Sequence, residues 1–331
     1  MNPTRFMDIH PAGFYHPDAM KTLLILLALL LTHPATACIN VDGTSIDGSV
    51  GSFDGVLHYD QTLKAVLHET PEEQAALLQT RYQNPPENPF SRKELEGVVH
   101  ILRGNPAQAI TIFKELEVDR PGQYSTAANL GTAYELNGEL ENALTWIRQG
   151  LVRNNNSHHD TEWLHVEILK TRIKLREDPD YLRQNHVINL PDTYIFSSPV
   201  RIGDDTRAVS DIQSAILHQL KERILFVKPP DSVVADLLFT LGQITAHTMN
   251  LESSLGLLNM SSDYGYANPA QLTATISQYE RTILYRQSKK WVLISLGVIT
   301  GLGLLYLGWR KKIFFLSSKS NRAHRAATTA R

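Results

Sequence analysis

Residues 129–151 read NLGTAYELNGELENALTWIRQGL, and this stretch decides the fold. Its apolar and small residues recur every three to four positions on both sides of Gly138, the spacing that places side chains on one face of a helix. A glycine at the break in such a pattern favours a turn between two helices. The stretch therefore predicts two amphipathic helices that pack against each other as an antiparallel pair.

The same pattern is present one frame of 34 residues earlier. The segments 90–123 and 124–157 have residues of similar size at four equivalent positions. These are Gly97/Gly131, Gly104/Gly138, Ala109/Ala143 and Phe113/Ile147. Small residues at positions 8 and 20 of the frame let two helices approach closely, and large residues at positions 7, 11 and 24 fill the space between them. A weaker copy has Gly242, Ser254 and Leu258 at positions 8, 20 and 24. A fixed period of this length is typical of helical repeat arrays.

This pattern resembles the tetratricopeptide repeat family. The resemblance covers the repeats at 90–123 and 124–157, although Glu96 and Asn155 stand where the family usually has Leu and Pro. It implies an all-α fold, an α-solenoid of antiparallel helix pairs in which each repeat buries its apolar face against a neighbour. In overall layout the chain is similar to exported, membrane-anchored bacterial repeat proteins of unassigned role.

The rest of the chain divides by composition. We expect tetratricopeptide-like repeats over 61–185, a linker over 186–205 and a second helical repeat block over 206–285. Residues 38–60 are rich in Gly and Asp, and their Asp-Gly dipeptides predict a loop segment.

The amino terminus predicts export. Nine apolar residues, 23–31, follow a basic residue and precede small residues that end at Ala37, an arrangement typical of a secretory signal peptide. Nine residues are too short to cross about 30 Å of hydrocarbon as a helix. We expect a signal peptide over 1–37, cleaved before Cys38, with translation beginning at Met20. Because Cys38 also stands where bacterial lipoproteins carry their acylated cysteine, lipidation is the alternative to simple cleavage.

Residues 291–309 predict one transmembrane helix. They carry no charge, have Trp at each end and lie between basic residues. Seven basic residues follow the segment and four precede it, which predicts a cytoplasmic tail over 310–331 and a body outside the cytoplasm. Gly297 and Gly301 lie four residues apart, a spacing at which membrane helices approach closely, so a homodimer is one prediction. The alternative is that glycine is simply common in membrane helices.

Composition and motifs favour no enzyme. The net charge is −2, so no nucleic-acid partner is expected, and the single cysteine excludes an intrachain disulfide. The sequence contains no P-loop, nucleophile elbow or HExxH motif, so we predict no catalytic activity and no cofactor. His158, Glu162 and His165 would share one helix face as metal ligands, but a helix start with acidic residues in its first turn explains the same residues.

The resemblance implies a groove lined by the first helix of each repeat. Carried onto this sequence, the groove residues are Glu94, Val98, Ile101, Leu102, Ser125, Ala128, Thr132, Glu135 and Leu136. They are mostly small, apolar or acidic and lack the clamp with which family members grip a terminal carboxylate, so the groove suits an extended or helical apolar segment. We predict a non-catalytic scaffold that binds another envelope protein, periplasmic in a bacterium. The alternative is a membrane-anchored sensor of a ligand or metal that signals to the short basic tail.

Overall fold

The computed structural model describes six stretches of the chain, which are residues 40–54, 59–81, 88–154, 160–191, 199–203 and 205–328. The predicted signal peptide, its cleavage site at Ala37 and Cys38, and His158 lie outside these stretches. Within them the chain is predominantly helical, with 11 helices and two short hairpins. The helices are α1 (Tyr59–His68), α2 (Pro71–Arg81), α3 (Pro89–Leu102), α4 (Pro106–Asp119), α5 (Tyr124–Leu136), α6 (Leu140–Arg153), α7 (Glu162–Glu177), α8 (Val209–Phe226), α9 (Ser232–Thr248), α10 (Leu251–Asp263) and α11 (Pro269–Thr328).

Several helices begin at residues whose side chains satisfy the free amides of the first turn. Asn88 accepts a hydrogen bond from the Phe90 amide before α3, and Asn250 accepts one from the Ser253 amide before α10. Asp231 accepts from two amides at the start of α9. These caps fix where the helices start and therefore which side chains face inward.

Helices α3 to α7 pack against one another in chain order. At two of these contacts a glycine of one helix touches a large side chain of the next. A Cβ atom added to Gly97 would lie 2.6 Å from Phe113, and one added to Gly131 would lie 2.5 Å from Ile147. The turns between the paired helices contain Gly104 and Gly138, whose φ angles are 71° and 82°.

The predicted loop over 38–60 is wrong for residues 40–54. Two strands, β1 (Asn40–Thr44) and β2 (Val50–Asp54), pair there around a turn in which Gly48 has a φ of 80°. Strand β1 is held by α10, because Glu252 accepts hydrogen bonds from the amide of Thr44 at 2.8 Å and from its hydroxyl at 2.6 Å. This contact joins residues that are 208 positions apart, so no local sequence pattern predicts it.

The predicted linker over 186–205 is also partly wrong, and the described chain is not purely helical. Strands β3 (Pro199–Ile202) and β4 (Asp205–Ala208) form a second antiparallel hairpin in its place. Val187, Ile188 and Val200 are buried, because this segment covers the apolar faces of neighbouring helices.

The two predicted helical blocks share one core. Leu63 of α1, Leu164 of α7, Ile216 of α8, Leu237 of α9 and Leu258 of α10 belong to the same buried cluster. Helix α8 lies at its centre and contacts α1, α7 and α9. The structure therefore joins the blocks through α8 rather than through a free linker.

The last helix, α11, is 60 residues long. Its first part packs on the body, where Leu272 and Tyr279 are buried. Residues 291–309 are exposed along almost their whole length, and the most apolar 18-residue window of the helix has a mean hydropathy of 1.9 with no residue buried. Among the described residues, α11 is the one helix long and apolar enough to cross a membrane.

Candidate binding pocket

A pocket of about 360 Å³ opens between α2, α3, α5, α7 and α8. Eight of the nine predicted groove residues line it, and these are Val98, Ile101, Leu102, Ser125, Ala128, Thr132, Glu135 and Leu136. Glu94, the ninth, lies one helical turn before Val98 in α3 and is not part of the lining. One of its carboxylate oxygens, Oε1, is buried and has no hydrogen-bond partner within the described residues.

One side of the pocket is an apolar wall. Val98, Ile101 and Leu102 project from consecutive turns of α3, because residues three and four apart share a helix face. Leu136 of α5 and Phe226 of α8 complete the wall. Burying apolar side chains of a bound molecule against such a surface removes them from water and favours binding.

Helix α8 closes the side of the groove that the repeat frame leaves open. Its last turns contribute Gln219, Arg223 and Phe226 to the lining. These residues could not be predicted from the sequence, because α8 lies in the second predicted block and no local pattern reports contacts over such distances along the chain. The predicted groove is therefore part of a pocket that α8 lines together with α2, α3, α5 and α7.

Another part of the pocket lining is a row of buried polar groups. Tyr124 donates a hydrogen bond to Glu162 at 3.0 Å, and Glu162 lies 3.5 Å from Nδ1 of His165. Nε2 of His165 lies 2.7 Å from Glu135, which also accepts hydrogen bonds from both Nη atoms of Arg223. Glu135, Glu162, His165 and Arg223 are each less than 10% exposed. We call these four residues the ion cluster.

The ion cluster and the neighbouring Arg172 together join four helices. Nε of Arg172 in α7 lies 3.1 Å from Glu135 in α5, and its Nη2 donates to Asp231 at 2.8 Å. Asp231 in turn caps α9. With Arg223 in α8, these contacts join α5, α7, α8 and α9, so the shape of the pocket depends on them.

The ion pairs shift the pKa values of the cluster. Burial alone would raise the pKa of the Glu135 carboxyl, but the charge of Arg223 and the hydrogen bond from His165 hold that pKa well below its usual range. Burial alone would lower the pKa of His165, but its contacts with Glu135 and Glu162 raise it to about 9. At neutral pH, Glu135 is therefore a carboxylate and His165 an imidazolium.

The candidate metal ligands serve the ion cluster instead. Both ring nitrogens of His165 face carboxylates, one of them that of Glu162, so neither is left to coordinate a metal. His158, the third member, lies outside the described residues. Among the residues that the structure does describe, no group of three His, Cys, Asp or Glu side chains is arranged to hold a metal ion.

Comparison with known proteins assigns no relative to this arrangement. No family model matches the chain, and no curated protein and no solved structure matches it. What the pocket does is therefore inferred from its own chemistry. A lining that combines an apolar wall with a row of polar groups suits a ligand that buries apolar groups and also forms hydrogen bonds.

Proposed function

We propose that this chain is a membrane-anchored helical repeat protein that binds another envelope protein outside the cytoplasm and acts as a non-catalytic scaffold. The observation that carries the proposal is the pocket, because eight of the nine groove residues that the family resemblance implies line it together. A groove with an apolar wall suits a segment of a partner protein.

The assignment of a tetratricopeptide-like solenoid rests on repeated contacts. The close approach of Gly97 to Phe113 and of Gly131 to Ile147 recurs in the second block, where a Cβ on Gly242 would lie 2.9 Å from Leu258. The three glycines occupy position 8 of the frame, and the three large residues occupy position 24. A single helix-pair geometry used three times is what a repeat array predicts.

The proposed orientation places the body outside the cytoplasm and the tail inside. It is supported by the signal-like amino terminus, the apolar stretch of α11 and the excess of basic residues after it. Single cysteines placed at the exposed Ser214 of α8 and at Ser320, with Cys38 replaced, test it. A membrane-impermeant maleimide should label the first in intact cells and the second only after lysis, and the reverse result would contradict the orientation.

Site-specific photocrosslinking tests partner binding. A photoreactive phenylalanine at Thr132, which lines the pocket, should form a crosslink to another protein in native membranes. The same residue at Thr145, exposed on α6, is the control and should not. Ser125→Trp, which narrows the pocket, should remove the crosslink. Crosslinks of equal yield at both positions, or none at Thr132, would contradict the proposal.

The contacts of His165 do not favour the metal form of the sensor alternative. That form needs an ion bound through His158, Glu162 and His165, and both ring nitrogens of His165 face carboxylates. We therefore propose the scaffold alone.

A further inference from the structure

The charges of the chain are divided sharply at Glu280. Residues 38–280 contain 32 Asp and Glu and 19 Lys and Arg, whereas residues 281–331 contain 11 Lys and Arg and no Asp or Glu. The net charge of the whole chain is small only because these two parts cancel. The acidic part holds the body with its pocket, and the basic part holds most of α11 with its apolar segment, residues 291–309.

Cations stand at both ends of the apolar segment. Two lysines precede it and three basic residues follow it. These are Lys289, Lys290, Arg310, Lys311 and Lys312, and all five side chains are exposed. We call the last three the tail triad. From Lys290 to Arg310 the helix rises about 30 Å, which is the thickness of the hydrocarbon layer of a bilayer. Both groups of cations therefore lie at the depth of the phospholipid headgroups when the segment spans a membrane.

The two groups differ in the charges around them. Lys289 is close to the acidic body, because Glu280 precedes it by about 14 Å along the helix axis and Glu252 lies 3.5 Å from Arg286. The nearest acidic residue that precedes Arg310 in the helix is also Glu280, at about 45 Å along the axis. This distance is several times the Debye length of about 8 Å at physiological ionic strength. The positive charge of the tail triad is therefore not compensated from within the helix.

We propose that the tail triad binds anionic phospholipid headgroups in the leaflet at its end of the apolar segment. The guanidinium of Arg310 and the ammonium groups of Lys311 and Lys312 meet the phosphate and the net negative charge of a lipid such as phosphatidylglycerol. The opposite leaflet meets Lys289 and Lys290 next to an acidic body that repels anionic lipid, so the preference is confined to one leaflet. The inference rests on the membrane anchoring in the proposed function and adds the class of lipid to it.

Quenching of tryptophan fluorescence by brominated lipids reports which lipid lies at each end of the apolar segment. Trp291→Phe leaves Trp309 beside the tail triad, and Trp309→Phe leaves Trp291 beside Lys290. Trp146 and Trp163 lie in helices of the body and give a constant background. The full chain with either change is reconstituted in vesicles of phosphatidylcholine with a minor fraction of phosphatidylglycerol. The bromine is carried on the acyl chains of the phosphatidylglycerol or of the same amount of phosphatidylcholine. Both leaflets have one composition, so the direction of insertion does not affect the result.

The two tryptophans should respond differently. Brominated phosphatidylglycerol should quench Trp309 more strongly than the same amount of brominated phosphatidylcholine, whereas the two lipids should quench Trp291 about equally. Each cation near an anionic surface contributes about a fivefold preference, so Lys311→Gln combined with Lys312→Gln should remove most of the difference at Trp309.

A matched control removes the same charge at the other end of the apolar segment. Lys289→Gln combined with Lys290→Gln replaces two exposed lysines of the same helix and should leave the difference at Trp309 unchanged. Raising the salt concentration should reduce that difference in the parent, because added ions screen the attraction.

The outcomes distinguish the inference from the proposed anchoring. Equal quenching of Trp309 by the two lipids would overturn the lipid preference and leave the membrane anchor in place. A difference that survives the loss of Lys311 and Lys312, or an equal preference at Trp291, would do the same. Quenching of neither tryptophan by either lipid would overturn the anchor as well. Partner binding is tested separately, by the crosslink at Thr132.

Discussion

Gly131 in α5 and Gly150 in α6 differ in the room around their Cα atoms. A Cβ on Gly131 would lie 2.5 Å from the side chain of Ile147 and 3.2 Å from its backbone nitrogen, whereas one on Gly150 would meet nothing closer than 3.5 Å. Gly131→Ala should therefore lower the free energy of unfolding by about 1–3 kcal/mol through overpacking. Gly150→Ala should leave it unchanged or raise it by up to about 1 kcal/mol, because alanine favours a helix interior.

Thermal unfolding of the full chain in detergent, followed by circular dichroism, measures both variants. The same substitution in neighbouring helices makes Gly150→Ala the matched control. Equal melting temperatures for the two variants would mean that the repeat register is misplaced.

The buried His165 should make stability depend on pH. Its pKa rises from 6.5 to about 9 on folding. A raised pKa contributes stability that is fully present below the unfolded value and is lost as the pH rises through the folded value. Protonated His165 therefore contributes about 3 kcal/mol below pH 6.5, and this contribution disappears toward and above pH 9.

The variant His165→Gln checks this dependence. The melting temperature of the parent should fall between pH 7 and pH 9.5. That of the variant should be lower than the parent's at pH 7 and should fall less over the same range. Acid also destabilises the fold, through Glu135, because a lowered pKa means that the contribution of its carboxylate to stability is lost as the pH falls through that value. Parallel alkaline curves for parent and variant would contradict the assignment to His165.

At the scale of elements, the contact between β1, α10 and α11 is the one most open to test. Glu252 of α10 accepts two hydrogen bonds from Thr44 and lies 3.5 Å from Arg286 of α11, which also contacts Thr44. Glu252→Ala should lower the free energy of unfolding by about 1–2 kcal/mol, because it leaves the buried Thr44 amide without an acceptor. Glu280→Ala, exposed on α11, is the control and should have little effect.

Hydrogen exchange locates the effect. The amide of Thr44 should exchange faster in Glu252→Ala than in the parent, while amides in the middle of α5 keep their protection. Unchanged exchange at Thr44 would mean that β1 is held by other contacts.

The spacing of residues along the chain predicts helices that pack against their neighbours in sequence. Gly131 and Ile147 are 16 residues apart, and their sizes repeat with a fixed period, so the sequence could predict a helix pair there. Eight of the groove residues that the family resemblance implies line the pocket. The other half of the pocket could not be placed in this way. Arg223 meets Glu135 across 88 residues, and neither side chain differs in pattern from an exposed charged residue.

The two hairpins could not be predicted either, because their strands are short and are held by contacts between residues far apart in the sequence. The alternation of Val200 and Arg201 covers too few residues to be told from a loop, and the turn at Gly48 is flanked by Gly and Ser, which favour loops as much as strands. What stabilises the first hairpin is its contact with Glu252, which only the folded chain brings close.

At the scale of the whole molecule, the face of α11 that packs on the body continues along its apolar segment, residues 291–309. Successive helix residues are about 100° apart, so Leu272, Tyr279, Gly297 and Gly301 fall within about 40° of one another around the axis. The first two are buried against the body, and a Cβ on either glycine would meet nothing within 4 Å. The face of the apolar segment that carries Gly297 and Gly301 is therefore in line with the face on which the body packs.

This alignment sharpens the test of the proposed homodimer. Two copies that pair through Gly297 and Gly301 would bring their bodies to the same side, so pairing in the membrane predicts contact between the bodies as well. Gly297→Ile and Gly301→Ile should lower the yield of dimer in native membranes crosslinked with a lysine-reactive reagent. Gly303→Ile is the matched control and should leave the yield unchanged, because Gly303 points about 120° away from Gly297 on the same exposed helix.

Equal yields in all three variants and the parent, or no dimer in the parent, would rule out pairing through this face and leave the chain a scaffold with one pocket. Dimer loss confined to the first two variants would mean that each assembly presents two pockets, which strengthens binding only to a partner able to reach both.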